Sequence, residues 1–418
     1  MRSLVEDLRF AVRMLRRSPG FSLIAVVTLA LGIGANTAIF TVADSLLLRP
    51  MPFHDPDRLV LVWGDRPREG FDVLPFSWEN FTEFREQATS FESLGAFFSY
   101  PGNTFNLTAS GEPERIQAAY LSAEVLPALG VAPSLGRAFT SDEDRPGAGG
   151  VVLISQGLWR RRFGAAGDIV GRTLILDGQP RTITGVMPES FTFPRYPADA
   201  DVWLPLATEP NSARRFSRGT RYLSVIGRLK PGTTVAGAQA EATAVAGRLA
   251  AKYPRYNEGL GAKVTPLRAQ AAGSMRPAIL VLGAAVGFVL LIACANLASL
   301  LLARAKSRER EVALRVALGA SRARLMRQWM TESALLAAVG GAAGLLVAVW
   351  GLDFLSFIPY NVPSFATPYV VAPGQIAMRP EVFAFSLGLS LATGLLLGLV
   401  PALQATRGDF AASLKGGS

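Results

Sequence analysis

The chain has 418 residues, of which 50% are hydrophobic and 18% are charged, and its formal net charge is +10. Soluble globular proteins carry charge on about a quarter of their residues, so this composition argues against an ordinary soluble enzyme. A basic chain could bind nucleic acid, but the excess here is concentrated in two short segments and forms no basic domain. The composition instead indicates a membrane protein and no nucleic-acid partner.

Four apolar runs are long enough to cross roughly 30 Å of hydrocarbon as helices. We expect transmembrane helices at residues 21–48, 278–303, 333–355 and 382–403. Arginines precede the first run, as they would in a signal peptide, but the run is too long for the apolar region of one. A membrane anchor that stays in place is therefore the favoured interpretation.

Basic residues flank these runs unevenly. Residues 1–20 contain five arginines, and residues 304–332 contain eight basic side chains. The positive-inside rule assigns both segments to the cytoplasm. We therefore expect both termini inside, a large domain at residues 49–277 outside, and a short outer loop at residues 356–381.

The N-terminal segment, residues 1–20, predicts a cytoplasmic amphipathic helix that contacts membrane lipids. Its apolar side chains recur on one helical stripe, and four arginines fall largely off that stripe. Residues 18–20 are Ser, Pro and Gly, which break the helix before the chain enters the membrane. A disordered basic flank is the alternative interpretation.

The outer segment predicts a mixed α+β domain. Its clearest signal is Asp177-Gly178, which joins two β-rich runs within residues 171–188 and is typical of a hairpin. Strand and helix patterns alternate without a fixed repeat, so we expect two intertwined subdomains, with residues 127–215 inserted into the rest. Further elements are expected at residues 57–63 and 221–232, which predict strands, and at residues 235–253, which predict a helix. The fold class is thus an α-helical membrane protein with four transmembrane helices and a large extracytoplasmic α+β domain.

Small residues lie four apart in every span, and this spacing lets helix backbones approach closely in lipid. Asn36 and Asn296 are polar groups within the spans, and interhelical hydrogen bonding is favoured over a substrate-binding role for both. The residues expected to pack helices together are Gly34, Gly283, Gly287, Asn296, Gly340, Gly344, Gly394 and Gly398.

The stock of reactive groups is small. His54 is the single histidine and Cys294 the single cysteine, so neither a zinc site nor thiol catalysis is expected, and the chain predicts no metal and no cofactor. Residues 141–150, SDEDRPGAGG, lack the ligand spacing of a calcium loop and predict an exposed acidic turn. None of the five lysines stands in a G-x-x-x-x-G-K-[ST] sequence, so ATP hydrolysis through that loop is excluded for these residues.

A basic two-part helix separates the second and third spans. In SREREVALRVALGASRARLMRQWMTES, residues 307–333, Gly319 suits a helix C-terminus and Ser321 suits the N-cap of the next helix. We expect residues 304–332 to form a cytoplasmic elbow joined mechanically to two spans. The arginines would satisfy the positive-inside rule even without a further role, so that simpler interpretation stays open.

The elbow sequence REREVALRVALGASRARLMRQWMTESALL resembles the corresponding segment of the FtsX-like and MacB-type permeases of ABC transporters. The outer segments YLSAEVLPALGVAPSLGRAFTSDED and VVLISQGLWRRRFGAAGDIVGRTLILDGQPRTITGVMP resemble the MacB-type periplasmic core, and the closing PALQATRGDFAASLK resembles the end of the family. The first 60 residues are most similar to a branch whose members often carry two permease halves, of which this chain has one. The resemblance implies a MacB-like core at residues 49–277 and an FtsX-like permease domain at residues 278–418.

The resemblance also implies a bacterial inner-membrane permease that exports a substrate with energy from a separate cytoplasmic ABC ATPase. A dimer of permease units and a periplasmic partner are implied as well. The residues it assigns to ATPase coupling are Glu311, Arg315, Gly319, Ala320, Arg322 and Arg327.

Two other functions stay open at this point. A membrane scaffold could use the same elbow to regulate an envelope enzyme without transport. A large apolar groove in the outer domain would favour transport, and a flat polar face would favour docking. A membrane-bound enzyme is disfavoured by the shortage of catalytic groups.

Overall fold

The computed structural model describes residues 2–48, 51–99, 103–108, 112–148, 150–194, 199–210, 212–272, 276–307, 322–356 and 378–407. The chain divides into two compact units, one of long helices and one of strands and shorter helices. Each unit has its own apolar core. We describe them separately.

The helical unit contains five described helices. Four of these are long and apolar enough to cross a membrane, in agreement with the four expected spans. Ser18 alone separates the first two helices, and Pro19 opens the second, where its missing N–H costs nothing. The helices are α1 (Arg2–Arg17), α2 (Pro19–Ala43), α10 (Arg276–Ser307), α11 (Arg322–Ser356) and α12 (Pro380–Arg407).

Between these helices lie the strands β1 to β12 and the helices α3 to α9. The strands are β1 (Leu59–Arg66), β2 (Phe71–Leu74), β3 (Phe91–Phe98), β4 (Thr104–Leu107), β5 (Glu114–Leu121), β6 (Leu135–Gly136), β7 (Val151–Ser155), β8 (Thr173–Leu176), β9 (Gln179–Met187), β10 (Val202–Pro205), β11 (Ser224–Leu229) and β12 (Gly261–Pro266). The helices are α3 (Trp78–Gln87), α4 (Val125–Leu129), α5 (Gln156–Phe163), α6 (Ser212–Arg215), α7 (Val235–Lys252), α8 (Pro254–Asn257) and α9 (Leu267–Ala272).

All twelve described strands belong to one sheet system. Its main path runs β10-β7-β9-β8-β4-β5-β3-β11-β1-β12, and an added pairing of β10 with β5 closes six of these strands into a ring. The strands β3, β11, β1 and β12 extend from β5 as an open antiparallel sheet. Two strands of the ring, β4 and β5, precede residue 127 and therefore lie outside the segment that we expected to be inserted. The insertion of residues 127–215 stays a prediction.

Local sequence signals explain several element boundaries. Ser77, Ser155 and Thr234 each accept a backbone N–H with the side-chain oxygen at the start of a helix, as N-caps do. The predicted hairpin is confirmed as β8 and β9, and both turn residues adopt positive φ, 45° at Asp177 and 78° at Gly178. That geometry matches the type I′ turn favoured by Asp-Gly.

Candidate coupling site and helix contacts

Two long helices flank the segment 308–321, which makes up the middle of the predicted elbow and lies outside the described residues. The apolar part of α10 ends at Ala303, and the helix continues to Ser307 without a break. On the other side α11 begins at Arg322, before its apolar part, and runs through the span as one helix. Because an unbroken helix is stiff over this length, displacement of the segment between them would be passed to both spans.

The predicted coupling residues fall unevenly relative to these helices. Glu311, Arg315, Gly319 and Ala320 lie outside the described residues. Arg322 is the first residue of α11, and its side chain is not described. The sixth residue, Arg327, lies half-buried in the same helix. The grouping of these six residues into one coupling site stays a prediction.

A buried carboxylate follows Arg327 by less than two turns. Glu332 on α11 is 7% exposed, and the neighbouring Ser333 is 3% exposed. Glu332 is the last residue of the expected elbow, residues 304–332, and is not among the residues assigned to ATPase coupling. Its position where the apolar part of the span begins could have marked it, because a carboxylate there is costly unless neighbouring groups surround it.

Close helix contacts occur at several of the predicted glycines. A Cβ atom on Gly34 of α2 would stand 2.7 Å from the carbonyl oxygen of Gly344 on α11, and one on Gly340 would stand 2.6 Å from Leu29 Cβ. On α12, a Cβ on Gly394 would meet Ala337 at 3.0 Å, and one on Gly398 would meet Met330 Sδ at 2.6 Å. Three helices thus approach closely where side chains are absent.

The predicted packing residues of α10 behave differently. A Cβ on Gly283 would meet only Ile39 Cγ2, at 3.7 Å, and a Cβ on Gly287 would have no described atom within 4 Å. Asn296 is exposed on the surface of the helical unit. These three residues therefore do not hold α10 tightly against the described helices, and a role in packing requires another partner.

The asparagine of the first span has its partner within the unit. Asn36 Nδ2 donates to the carbonyl oxygen of Val286 on α10 at 3.1 Å and to Gly32 O of its own helix at 2.9 Å. The expected interhelical hydrogen bond is confirmed for Asn36.

An ion pair that the sequence did not suggest joins the ends of α2 and α12. Asp44 is 5% exposed in a π-helical turn, Asp44–Leu48, and its Oδ2 lies 3.7 Å from Arg379 Nη1. Arg379 also donates to Glu381 Oε1 at 3.0 Å. One turn into α2, the Phe40 ring stacks on Phe385 with a centroid distance of 4.1 Å.

In the sheet unit, a buried arginine holds the segment that precedes β1. Arg228 on β11 is 3% exposed and donates from Nε to Ala128 O at 2.8 Å. It also donates to the carbonyl oxygens of His54, at 2.5 Å, and Asp55, at 3.3 Å. Burial lowers the pKa of Arg228, with Arg58 adding to the effect. The available signal was that Arg228 lies inside the predicted strand 221–232 between Gly227 and Leu229, since an arginine is rarely buried there without acceptors.

One residue of the acidic turn at residues 141–150, Asp144, is not exposed as the sequence predicted. Asp144 is partly buried, and its carboxylate accepts the backbone N–H of Ala207 at 2.8 Å and of Ala123 at 3.1 Å. Burial raises the pKa of Asp144 to about 6, although these N–H donors act in the opposite direction. The turn is therefore not simply exposed, because Asp144 ties it to two other segments.

The sheet unit has a small open cleft beside α3. Its volume is about 350 Å³, and Trp78 and Phe216 provide its aromatic walls. Arg218 lines it too and pairs with Glu83 at 2.6 Å, so the cleft has both apolar and charged walls.

His54 lies exposed beside Asp55. Among the described residues no three His, Cys, Asp or Glu side chains converge as a metal site.

Two family models match successive parts of the chain. Residues 22–245 match the MacB-like periplasmic core domain, and residues 283–410 match the FtsX-like permease C-terminal domain. The first match alone covers more than half of the chain. This protein therefore belongs to the family of FtsX-like permeases with a MacB-like periplasmic core, which are ABC transporter permeases.

Curated relatives are similar over much of this chain. It is 26% identical over 290 residues to the pyoverdine export ATP-binding/permease protein PvdT of Pseudomonas syringae, covering 69% of this chain and 41% of that protein. It is 25% identical over 353 residues to the macrolide export ATP-binding/permease protein MacB of Burkholderia lata, covering 83% of this chain and 47% of that protein. The chain thus spans less than half the length of these relatives.

Solved structures with some likeness cover about half of this chain. The periplasmic region of MacB from Actinobacillus actinomycetemcomitans is 12% identical and has a TM-score of 0.37, over 53% of this chain and 92% of that one. The extracellular domain of the noncanonic ABC-type transporter YknZ is 13% identical with a TM-score of 0.36, over 50% of this chain and 99% of that one. Scores this low add nothing to the family assignment.

Proposed function

We propose that this chain is the permease subunit of an export-type ABC transporter in a bacterial inner membrane. A cytoplasmic ATPase subunit would bind the elbow, and its ATP-driven motion would reach the outer domain through the spans. The observation that carries the proposal is the continuity of α10 and α11 between the membrane and the two ends of the elbow. Export as the direction of transport is supported by the relatives, which are named as export proteins for pyoverdine and for macrolides.

The energy source in this proposal lies outside the printed residues. They contain no G-x-x-x-x-G-K-[ST] sequence, whereas the relatives are named ATP-binding/permease proteins. We therefore assign ATP hydrolysis to a separate subunit. Both termini and the elbow would then be cytoplasmic, because the basic clusters at residues 1–20 and 304–332 lie there by the positive-inside rule.

The outer domain would carry out the work on the substrate or on a periplasmic partner. The chain enters this domain through the segment that Arg228 fixes to the sheet. A force applied to that segment would therefore be transmitted directly to β11. Two permease units would act together, each contributing one set of four spans, and α1 would lie against anionic lipid headgroups through its arginines.

The coupling role of the elbow can be tested with one combined variant. Gly319→Pro with Arg315→Glu and Arg322→Glu should abolish the ATP hydrolysis that the chain stimulates, because both the helix break and the charge are altered. A matched control, Arg16→Glu with Arg17→Glu, changes a second cytoplasmic basic cluster and should leave coupling in place. Membrane insertion is measured in both. Unchanged ATPase binding and stimulation in the elbow variant would remove the elbow from the account.

A further inference from the structure

Two arginines of the sheet unit converge on one carbonyl group at the end of β1. Arg66 Nη2 and Arg221 Nη2 both donate to Tyr256 O, at 3.2 Å and 2.9 Å. Arg221 also donates to Asn257 Oδ1 at 3.4 Å. Two guanidinium groups that share one acceptor repel each other, because arginine keeps its positive charge in proteins. Such an arrangement is costly unless a negative group offsets it.

The described carboxylates offset only one of these two charges. Glu69 Oε2 lies 3.3 Å from Arg66 Nη1. Burial lowers the pKa of Arg221, and the positive charge of Arg66 lowers it further, with no carboxylate of the described chain acting against them. By contrast, Arg218 of the same unit pairs with Glu83 at 2.6 Å. Two guanidinium charges against one carboxylate leave the Arg66–Arg221 pair with one positive charge in excess.

The pair also has an unused donor and stays open to solvent. Arg66 Nε is buried and has no hydrogen-bond partner in the described part of the chain. The Arg66 side chain is nevertheless 27% exposed and Arg221 is half-buried, so small solutes can reach both residues. A guanidinium group presents a planar fork of N–H donors that matches the oxygen atoms of carboxylate and phosphate groups. The chemistry that fits the pair is therefore an oxyanion.

The surrounding fold positions both arginines. Asn257 is fully buried, and its side chain exchanges two hydrogen bonds with Asn80 of α3, at 2.9 Å and 3.1 Å. This contact fixes α8, which carries the shared Tyr256 carbonyl group. On β1, the pairing with β2 shifts register between Gly64 and Arg66, and such an irregularity increases the local twist and redirects nearby side chains. The two guanidinium groups are thus held together by structure that does not depend on a ligand.

We propose that Arg66 and Arg221 form a binding site for a small oxyanion, a phosphate or carboxylate group that contacts both guanidinium groups. One negative charge neutralises the excess of the pair, and charge-assisted hydrogen bonds from arginine supply the geometry. The site lies at the end of β1 opposite the end by which the chain enters the sheet unit. It goes beyond the proposed export function and does not depend on it.

The stability of the whole detergent-solubilised chain at pH 7 tests the site. Sodium phosphate or sodium acetate replaces sodium chloride at constant ionic strength, and the unfolding midpoint is measured at each concentration. A ligand that binds only the folded state stabilises it, so at least one of the two oxyanions should raise the midpoint in a saturable way. The oxyanion that acts at the lower concentration identifies the preferred group. Phosphate also stabilises proteins without binding a site, so variants are compared.

Arg221→Met should weaken the binding of that oxyanion by about tenfold or more, because it removes a charged hydrogen-bond donor. The Tyr256 carbonyl group keeps the hydrogen bond from Arg66, so the variant is expected to fold. Arg255→Met is the matched control. Arg255 is exposed and lies over the Tyr256 ring, 5.6 Å from its centroid, outside the pair. It should bind the oxyanion as the native chain does.

Glu69→Gln tests the charge of the site in the opposite direction. It removes the carboxylate that pairs with Arg66 and should strengthen oxyanion binding by up to about fivefold. A damaged fold would not produce this gain. Equal stabilisation of the native and Arg221→Met chains, an equal loss in Arg255→Met, or no stabilisation beyond that given by chloride would overturn the inference. None of these measurements involves an ATPase, so their failure leaves the proposed function standing.

Discussion

Gly34 and Gly344 meet each other in a close contact between α2 and α11. A Cβ on Gly34 would stand 2.7 Å from the Gly344 carbonyl oxygen, and a Cβ on Gly344 would stand 3.0 Å from the Gly34 nitrogen. Both contacted atoms belong to the backbone, so they cannot rotate out of the way as the end of a side chain can. The two glycines therefore set the distance between the first and third spans.

Gly34→Ala should lower the stability of the protein by about 1–3 kcal/mol, because the added methyl group forces two backbones apart. Gly287→Ala is the matched control, since a Cβ there meets no described atom within 4 Å. It should be neutral or stabilising by up to about 1 kcal/mol through better helix propensity. The thermal unfolding midpoint of the detergent-solubilised protein measures both. Equal shifts would show that the Gly34 contact is not tight.

Arg228→Met should destabilise the protein by about 2–4 kcal/mol, because the carbonyl groups of Ala128, His54 and Asp55 lose a charged donor in a buried place. Arg248→Met serves as the control, since Arg248 is exposed and its Nε donates to Gln87 Oε1 at the surface. A change there should stay within about 0.5 kcal/mol. Chemical unfolding of the purified protein compares the two. Similar losses in both variants would mean that Arg228 does not fix the segment before β1.

Asp144 predicts a pH dependence with a definite sign. Its pKa in the folded protein is raised by burial to about 6, above the ordinary value of 3.8. The contribution of this group to stability is therefore full below the ordinary pKa and is lost as the pH rises through about 6. Relative to Asp144→Asn, the native protein should lose stability between about pH 4 and pH 7. A difference in unfolding midpoint that stays constant over this range would show that the carboxyl group is not perturbed.

The sequence predicted the parts of the fold that depend on local pattern. The four spans follow from apolar length, and the hairpin follows from Asp177-Gly178, because both signals act within one segment. The pairing of β10 with β5 could not be predicted, since parallel pairing between distant segments leaves no local pattern. Long-range register is set by packing of the whole sheet.

The candidate sites also combine features that the sequence predicted with contacts that only the structure shows. Gly34 and Gly344 belong to pairs of small residues four apart, but only the structure reveals that they meet each other and that Gly287 meets nothing. The Arg228 contacts and the Asp44–Arg379 ion pair join residues more than 70 positions apart, and no spacing rule could have paired them. Asn36 and Asn296 looked alike in sequence, but only the structure shows that Asn36 is half-buried and donates to Val286 O, whereas Asn296 is exposed.

The central claim is that a cytoplasmic ATPase drives this permease through its elbow, and affinity recovery of the chain from its native membranes tests it most directly. Mass spectrometry of the copurified proteins should identify an ABC ATPase with the native chain and lose it when residues 308–327 are mutated. Recovery of an envelope enzyme with no ATPase would contradict the claim, and a regulatory scaffold would then be the better account.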